Sequence, residues 1–257
     1  MPKFFVKSNQ ISEDKIIITG QDVNHIKNVL RLNVDDDLQI CDLDTAINYT
    51  CGISKIDNDK IECNIFNQID LSAESNIHIN VFQGIPKSDK MELIIQKCVE
   101  LGVNEITPVE MKRCVAKIED KAKNKKIERW QKISEVAAKQ CGRDRVPKIN
   151  NIINIKNICN QDLEYDIVIL AYENEKENTL KNELLRLKNK TNENLKIGVI
   201  IGPEGGLDKE EVEFLKENGA KSITLGKRIL RTETVAFVLA SIIMYELGDL
   251  GGVYCEK

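Results

Sequence analysis

Histidine is nearly missing from this chain: only His25 and His78 occur in 257 residues. A Ser-His-Asp or Cys-His catalytic set therefore has almost nothing to draw on. Zinc is excluded on similar grounds. The eight cysteines, Cys41, Cys51, Cys63, Cys98, Cys114, Cys141, Cys159 and Cys255, make no CxxC pair. A tetrahedral site needs closely spaced Cys and His ligands, so no metal is expected and the thiols read as small, reduced apolar residues. Long hydrophobic runs are lacking too. The apolar stretches reach only a handful of residues, far short of the ~20 that span a bilayer. The opening MPKFFVKSNQ has no apolar core of a signal peptide. A cytoplasmic protein with no membrane partner is the expectation.

What is present is an ordinary globular balance, 42% hydrophobic and 30% charged, long enough for one large domain or two modest ones. The net charge of -4 is unevenly distributed. Residues 112–148 hold thirteen Lys or Arg against five Asp or Glu, a local +8. An excess this lopsided in an acidic protein favours a polyanion partner over a merely solvated helix face.

The N-terminal third reads as strands. Phe4-Phe-Val6 and Ile16-Ile-Ile-Thr19 come first, then three half-buried alternating runs, Leu38–Cys41, Tyr49–Ile53 and Ile61–Ile65. A small antiparallel β-barrel is expected. Between them Asp22 can cap a helix to Leu30, with Val23, Ile26, Val29 and Leu30 on one face. His25 near its start reads as a local hydrogen-bonding residue. Polar residues 71–76 are the candidate linker, giving domains 1–70 and 77–257. The second alternates strand and helix: His78 lies in a strand, Met91, Ile94, Ile95 and Cys98 form a helical stripe, and Pro108 argues for a strand's end or an edge. A helix over 121–141 puts Trp130, Ile133, Val136 and Ala137 on one face. Alternation of this kind implies a parallel sheet covered by helices.

The stretch that organises the chain lies near its end. Ile197–Ile201 reads as a buried strand, Gly202-Pro203-Glu204-Gly205-Gly206 as a turn, and Asp208 with Glu211 as a capping box. A second strand, Ser222–Leu225, leads into Gly226-Lys-Arg-Ile-Leu-Arg231 and a helix from Thr232 to Leu247 that is apolar nearly all round. The two glycine turns are expected to end adjacent strands, at the edge of an open α/β sheet where ligands bind. A P-loop is excluded because GPEGGL lacks the GK[ST] ending. The cations and hydroxyls of 227–234 exceed what a connecting loop requires.

IGPEGGL followed by LGKRILRTETVA resembles the SPOUT methyltransferases, and specifically the RsmE family of 16S ribosomal RNA (uracil-1498 N3)-methyltransferases. NHIKNVLRL at 24–32, KSDKMEL at 87–93, QKCVELGV at 96–103, and AAKQCGR at 137–143 with Val146-Pro147 are similar to further family signatures. The resemblance implies a PUA-like N-terminal barrel, associated with RNA binding, and a knotted α/β domain whose chain after Leu195 threads an earlier loop. It implies S-adenosylmethionine (SAM) as cofactor, 16S ribosomal RNA of the small subunit as partner, and a homodimer built on the last helix. Carried onto this sequence, the cofactor loops comprise Leu170, Ala171, Ile201, Gly202, Pro203, Glu204, Gly205, Gly206, Leu225, Gly226, Ile229, Leu230, Arg231, Thr232 and Thr234. Leu225, Ile229 and Leu230 would flank the adenine.

Chemically, Arg231 can donate to a uracil carbonyl, or hold a phosphate. Glu233 or Glu204 can accept the N3 proton, although Glu233 can equally cap the helix it opens. Arg31, Arg113, Lys117, Arg143 and Arg145 are the candidate RNA contacts; for Arg31 an ordinary ion pair serves as well. Another RNA methyltransferase of the same fold, acting on a ribose oxygen or another base, and a non-catalytic RNA-binding factor are the alternatives.

Overall fold

The structure, a computed structural model, describes residues 1–69, 72–159, 165–188 and 194–251. Leu71 of the expected linker and Cys255 lie outside them. Two compact units are present, one joining residues 1–74 to 138–146, the other joining 75–137 to the chain from 147 onward.

The first unit is a five-stranded sheet of β1 (Lys3–Val6), β2 (Lys15–Thr19), β3 (Asp37–Asp42), β4 (Asn48–Ile56) and β5 (Lys60–Ile69). Its order is β1-β3-β4-β5-β2. Phe4 and Val6 of one edge share a core with Ile16 and Ile18 of the other, so the sheet curls around it. It is not wholly antiparallel, because β1 runs parallel to β3. The helix expected from Asp22 to Leu30 is also different. Gly20 occupies the cap of α1 (Gln21–Asn24), which widens into a π turn over His25–Leu30. The wider turn keeps Val23 and Ile26 inside but rotates Val29 and Leu30 out, Val29 to 64% exposure. Asp22 pairs with Lys139 at 2.7 Å instead of capping.

Residues 138–146 are held in this unit by ions and hydrogen bonds. Asp144, 2% exposed, pairs with Lys3 and accepts from Asn48 Nδ2 (2.8 Å), Ser72 Oγ (3.1 Å) and the Ala73 N–H (2.5 Å). Arg143 is buried against Glu74, with Nη2 2.5 Å from Oε2. Its side chain is buried and ion-paired, which removes it from the surface cations proposed for RNA.

The second unit is a parallel sheet. Its strands are β6 (His78–Gly84), β7 (Glu105–Glu110), β8 (Lys148–Ile149), β9 (Ile153–Asn154), β10 (Ile167–Ala171), β11 (Lys196–Ile201) and β12 (Lys221–Ile223). The order is β12-β10-β11-β6-β7-β8, with β9 also on β7. The two strands that precede the glycine turns, β11 and β12, are therefore not adjacent: β10 lies between them. Pro108 neither ends β7 nor marks its edge. It falls between the residues that pair with β8 (Glu105, Ile106) and those that pair with β9 (Val109, Glu110). A missing N–H costs nothing in that gap.

The helices are α2 (Lys90–Glu100), α3 (Asp120–Cys141), α4 (Leu180–Lys188), α5 (Lys209–Glu217) and α6 (Thr232–Glu246). On α3, Trp130 and Ala137 are buried but Val136 is 67% exposed, because the inner stripe runs through Ser134 and Ala138 instead. Helix α6 packs on α2 and β11 through Ala236, Leu239, Ala240, Ile243 and Met244. This chain does not cover it all round: Ile242 and Tyr245 remain exposed, at 37% and 63%.

Asp144 generates the first prediction. Burial raises its pKa, but Lys3, the Ala73 N–H and Asn48 outweigh it and hold the carboxyl below its ordinary value. Its stabilising effect is complete above the unfolded value near 3.8 and is lost as the pH falls through the lower folded value. Asp144→Ala leaves Lys3 as a buried, unpaired cation and should destabilise the first unit by about 3–5 kcal/mol. Urea unfolding checks this; a loss no larger than that of an exposed carboxylate, within about 0.5 kcal/mol, would contradict it.

Candidate active site

The carboxyl ends of β10, β11 and β12 lie side by side, and the loops that leave them enclose a cavity of about 900 Å³. Its formation begins in β11, where β-branched residues favour a pleated, doubly buried strand. The turn at 202–206 follows. The Gly206 N–H donates to Pro203 O at 2.9 Å, and Gly206 sits at φ +69°, a conformation open to glycine. A Cβ there would also meet Glu173 Oε1 at 2.7 Å. The capping box then starts α5: Asp208 accepts from the Glu210 N–H (3.2 Å), and Glu211 accepts from the Asp208 N–H (3.1 Å).

A buried hydrogen-bond chain fixes this turn to α6. Gln83, at the end of β6, donates from Nε2 to Thr232 Oγ1 at 2.8 Å, and Thr232 Oγ1 donates to Gly202 O at 2.7 Å. Gln83 also donates to Gly84 O at 2.9 Å. The β6 end lies so close to the turn that a Cβ on Gly84 would stand 2.7 Å from Pro203 N.

Lys90 ties a second pair of segments. Its Nζ is 3.1 Å from Glu204 Oε1 and 3.4 Å from Glu233 Oε2. The second contact lacks hydrogen-bond geometry, so the buried Glu233 Oε2 has no hydrogen-bond donor among the described residues. Glu204 also accepts from the Lys87 N–H at 3.1 Å. Burial raises the Glu204 pKa, but its own N–H, Lys90 and the Lys87 N–H outweigh it and hold the carboxyl below its usual range. On the third loop, Glu175 accepts from Ser222 Oγ and from the N–H groups of Lys176 (3.1 Å), Glu177 (3.1 Å) and Asn178 (3.3 Å). These bonds, led by Ser222, bring its pKa down to about 2. A carboxylate held ionised well below neutral pH thus clamps the loop after β10.

Of the residues assigned to a cofactor from the sequence, Ala171, 201–206, Leu225, Gly226 and 229–232 line the cavity. Leu170 does not: it is fully buried in the core beside Ile200 and Leu215. Thr234 and Glu233 also stand outside the lining, whereas Arg231 is part of it and solvent-exposed. Ile229 is 80% exposed and encloses little. Arg113 lies against the turn, with Nη1 3.3 Å from Gly205 O and Nη2 3.5 Å from Asp208. Lys117, Arg145 and Arg31 are exposed, and Arg31 has the left-handed φ of +54° after the π turn. Glu173, the end of the first expected cofactor loop (Leu170–Glu173), lines the cavity, as do Lys90 and Glu175, which the sequence reading does not assign to the site; nor does it assign Gln83. Lys90 lies within KSDKMEL, and Gln83 is the one long polar side chain in an otherwise apolar strand end; those were the available signals.

Among the described residues there is no cluster of three or more His, Cys, Asp or Glu that could hold a metal. No described helix is long and apolar enough to cross a membrane.

Known proteins of two kinds match this arrangement. The family described as RNA methyltransferase domain matches residues 73–244, and that described as RNA methyltransferase PUA domain matches 18–66. Ribosomal RNA small subunit methyltransferase E of Bacillus subtilis is 33% identical over 98% of this chain and 99% of its own length. The same-named protein of Mesomycoplasma hyopneumoniae is 33% identical over 93% and 97%. Among solved structures, ribosomal RNA small subunit methyltransferase E from Neisseria gonorrhoeae, bound to S-adenosyl methionine, superposes with a TM-score of 0.84 at 28% identity, covering 97% of this chain and 99% of that one. A Legionella pneumophila putative methyltransferase in complex with SAM gives 0.80 at 26% identity, covering 96% and 98%. With near-complete coverage of relatives at this identity, and a family domain spanning most of its length, the chain belongs to the ribosomal RNA small subunit methyltransferase E family.

Proposed function

We propose that this protein transfers a methyl group from SAM to N3 of a uridine in 16S ribosomal RNA, at the position the RsmE resemblance implies (1498-type). The observation that carries the reading is the cavity at the three strand ends. Its glycine turn leaves backbone, not side chain, facing the space, and Glu173, Glu175 and Glu204, set against Lys90 and Lys176, leave one part of its lining with an excess of carboxylate suited to a cationic ligand. The residues present therefore fit SAM, as does its presence in the two relatives bound to it. When bound, the cofactor supplies a methyl already activated on a sulfonium, so the chain needs no covalent nucleophile.

The chain's own tasks are to position and to handle a proton. The Gln83–Thr232–Gly202 bonds hold the turn in place. Arg231 at the mouth would donate to a uracil carbonyl as charge builds on the ring. Glu204 on the wall, or Glu233 behind it with Lys90 as shared counter-ion, would take the N3 proton.

We further infer a homodimer through the uncovered side of α6 around Ile242 and Tyr245. The C-terminal chain is taken to be knotted. Supporting this, β12 lies outside β10 while α6, directly after it, packs back on β11 and α2. The PUA-like domain is assigned to 1–70, with residues 138–146 packed into the same unit, the methyltransferase domain to the rest of 77–257, and the site of action to the cytoplasm, on the small ribosomal subunit.

Incubating the protein with 16S ribosomal RNA and SAM, then digesting and analysing nucleosides by mass, tests the function. N3-methyluridine is the expected product; a ribose-methylated or other base product would replace the proposed specificity. Arg231→Ala should lower the transfer rate about 10²–10³-fold while SAM still binds. Equal loss of SAM binding would reassign Arg231 to the cofactor.

Thr232→Val removes the hydroxyl that donates to Gly202 O and leaves that carbonyl unpaired. Calorimetry should show SAM affinity at least about fivefold weaker, from one lost hydrogen bond of about 1 kcal/mol. Unchanged affinity would mean that the latch does not set the cavity.

For the dimer, sedimentation of the wild type should give two copies. Ile242→Glu should give monomers, because a carboxylate at an apolar contact is costly to bury. A monomeric, fully active wild type would refute the assembly.

A further inference from the structure

The cavity carries two opposite charges, and only one suits the cofactor. Its carboxylates Glu173, Glu175 and Glu204 match a ligand whose sulfonium and ammonium outweigh its single carboxylate. On the loop after β12, Lys227, Arg228 and Arg231 are all exposed and also line the cavity. Among the described residues none of the three has a carboxylate within ion-pair distance. Three uncompensated cations exceed what one cofactor carboxylate can neutralise, and they repel a sulfonium. Their complement is a polyanion. Between them Ile229 is 80% exposed, an apolar side chain with no protein surface to cover it.

The basic segment 112–148 offers less than its charge suggests. Seven of its thirteen cations already face carboxylates: Lys112, Arg113, Lys121, Lys123, Arg129, Lys139 and Arg143. Such pairs have their charge neutralised within the protein and release few counter-ions on meeting RNA. Apart from Lys176 on the loop after β10, the free positive charge of the cavity lining is on the loop after β12.

We propose that residues 227–231 form the substrate arm of the site, a reading that rests on the RNA-methylating function proposed above. Lys227 and Arg228 hold phosphates flanking the target nucleotide, and Ile229 packs against its base, at the mouth of the cavity where Arg231 stands. The occupant is an unpaired stretch of RNA, since an exposed apolar side chain can meet a base face only where the base is not stacked in a helix.

The test compares wild type, Lys227→Gln/Arg228→Gln, Ile229→Ser, and a control pair Lys125→Gln/Lys132→Gln on α3. Affinity for 16S ribosomal RNA is measured from low to high salt, with SAM affinity and methyl transfer beside it. The loop pair should bind RNA more weakly, and its slope of log affinity against log salt should be shallower by about 1.4, from two lost phosphate contacts at ~0.7 each. SAM affinity should not fall, since removing two cations relieves repulsion of the cofactor's sulfonium. Ile229→Ser should reduce kcat/KM for RNA by about tenfold, the worth of one buried aliphatic side chain, with a smaller loss of SAM affinity, because Ile229 is 80% exposed and encloses little of the cavity. An unchanged slope in the loop pair, an equal change in the control pair, or a loss confined to SAM binding overturns the arm. Methylated RNA from wild type together with an unaffected loop pair overturns the arm alone. No methylated RNA from wild type overturns the function and the arm with it.

Discussion

The carbonyl of Gly202 accepts a hydrogen bond from Thr232, which accepts one from the buried Gln83, and the geometry of the site depends on that chain. A strand end that turns sharply into a loop leaves backbone groups without ladder partners, and a buried one must find another. Here the partner is the first residue of α6. The bond therefore does two things: it satisfies a carbonyl at the edge of the cavity, and it sets where α6 begins. Arg231, the residue before it, is consequently held at the cavity mouth. Lys90 supplies an electrostatic counterpart from α2, bridging the glycine turn and α6 through Glu204 and Glu233. Two of the three cavity loops are thus coupled to one another, by the buried Gln83 and Thr232 and by Lys90, which itself lines the cavity.

Much of this was legible in the sequence where local chemistry decides the outcome. The β-branched run of β11, the Asp208–Glu211 capping box and the stripe of α2 each follow from nearest neighbours along the chain. The glycine turn was legible for the same reason, and most of the residues expected around the cofactor do line the cavity. Strand order was not legible. Nothing in the period of β11 or β12 says that β10 intervenes, because order depends on where the connections pack. The π turn at His25–Leu30 escaped because Val29 and Leu30 fit a regular helical stripe; one wider turn rotates both outward. Arg143 escaped because its partner, Glu74, is 69 residues away. Burial of an arginine is decided by such a partner and leaves no local trace.

Charge shows the same division between local and distant. The +8 segment is real as a count, yet Lys112 and Arg113 face Asp208 at the cap of α5, Lys112 also Glu210 within it, Arg129 faces Glu92, and Lys139 faces Asp22. A run of cations along the chain is a poor guide to surface potential when the fold brings acids to it. The cations of 227–231 number only three but have no carboxylate within ion-pair distance among the described residues, and all three line the cavity.

Residues 138–146 belong to the first unit although α3, which carries the chain into them, begins in the second. The anchor Asp144 and the buried Arg143 lie in this returning piece, and Lys3, Asn48 and Glu74 all await it. On the ribosome the N-terminal sheet is therefore complete in sequence by residue 74 but cannot neutralise Lys3 until some seventy more residues have emerged, roughly 4–14 s later at about 5–20 residues per second. Through that interval the nascent sheet would carry an unpaired buried-site lysine and an unfilled flank. Folding of this protein during synthesis is then not N-terminal first: the first unit closes only after the start of the second has been made, and a truncation at the apparent linker would yield a fragment lacking its own keystone.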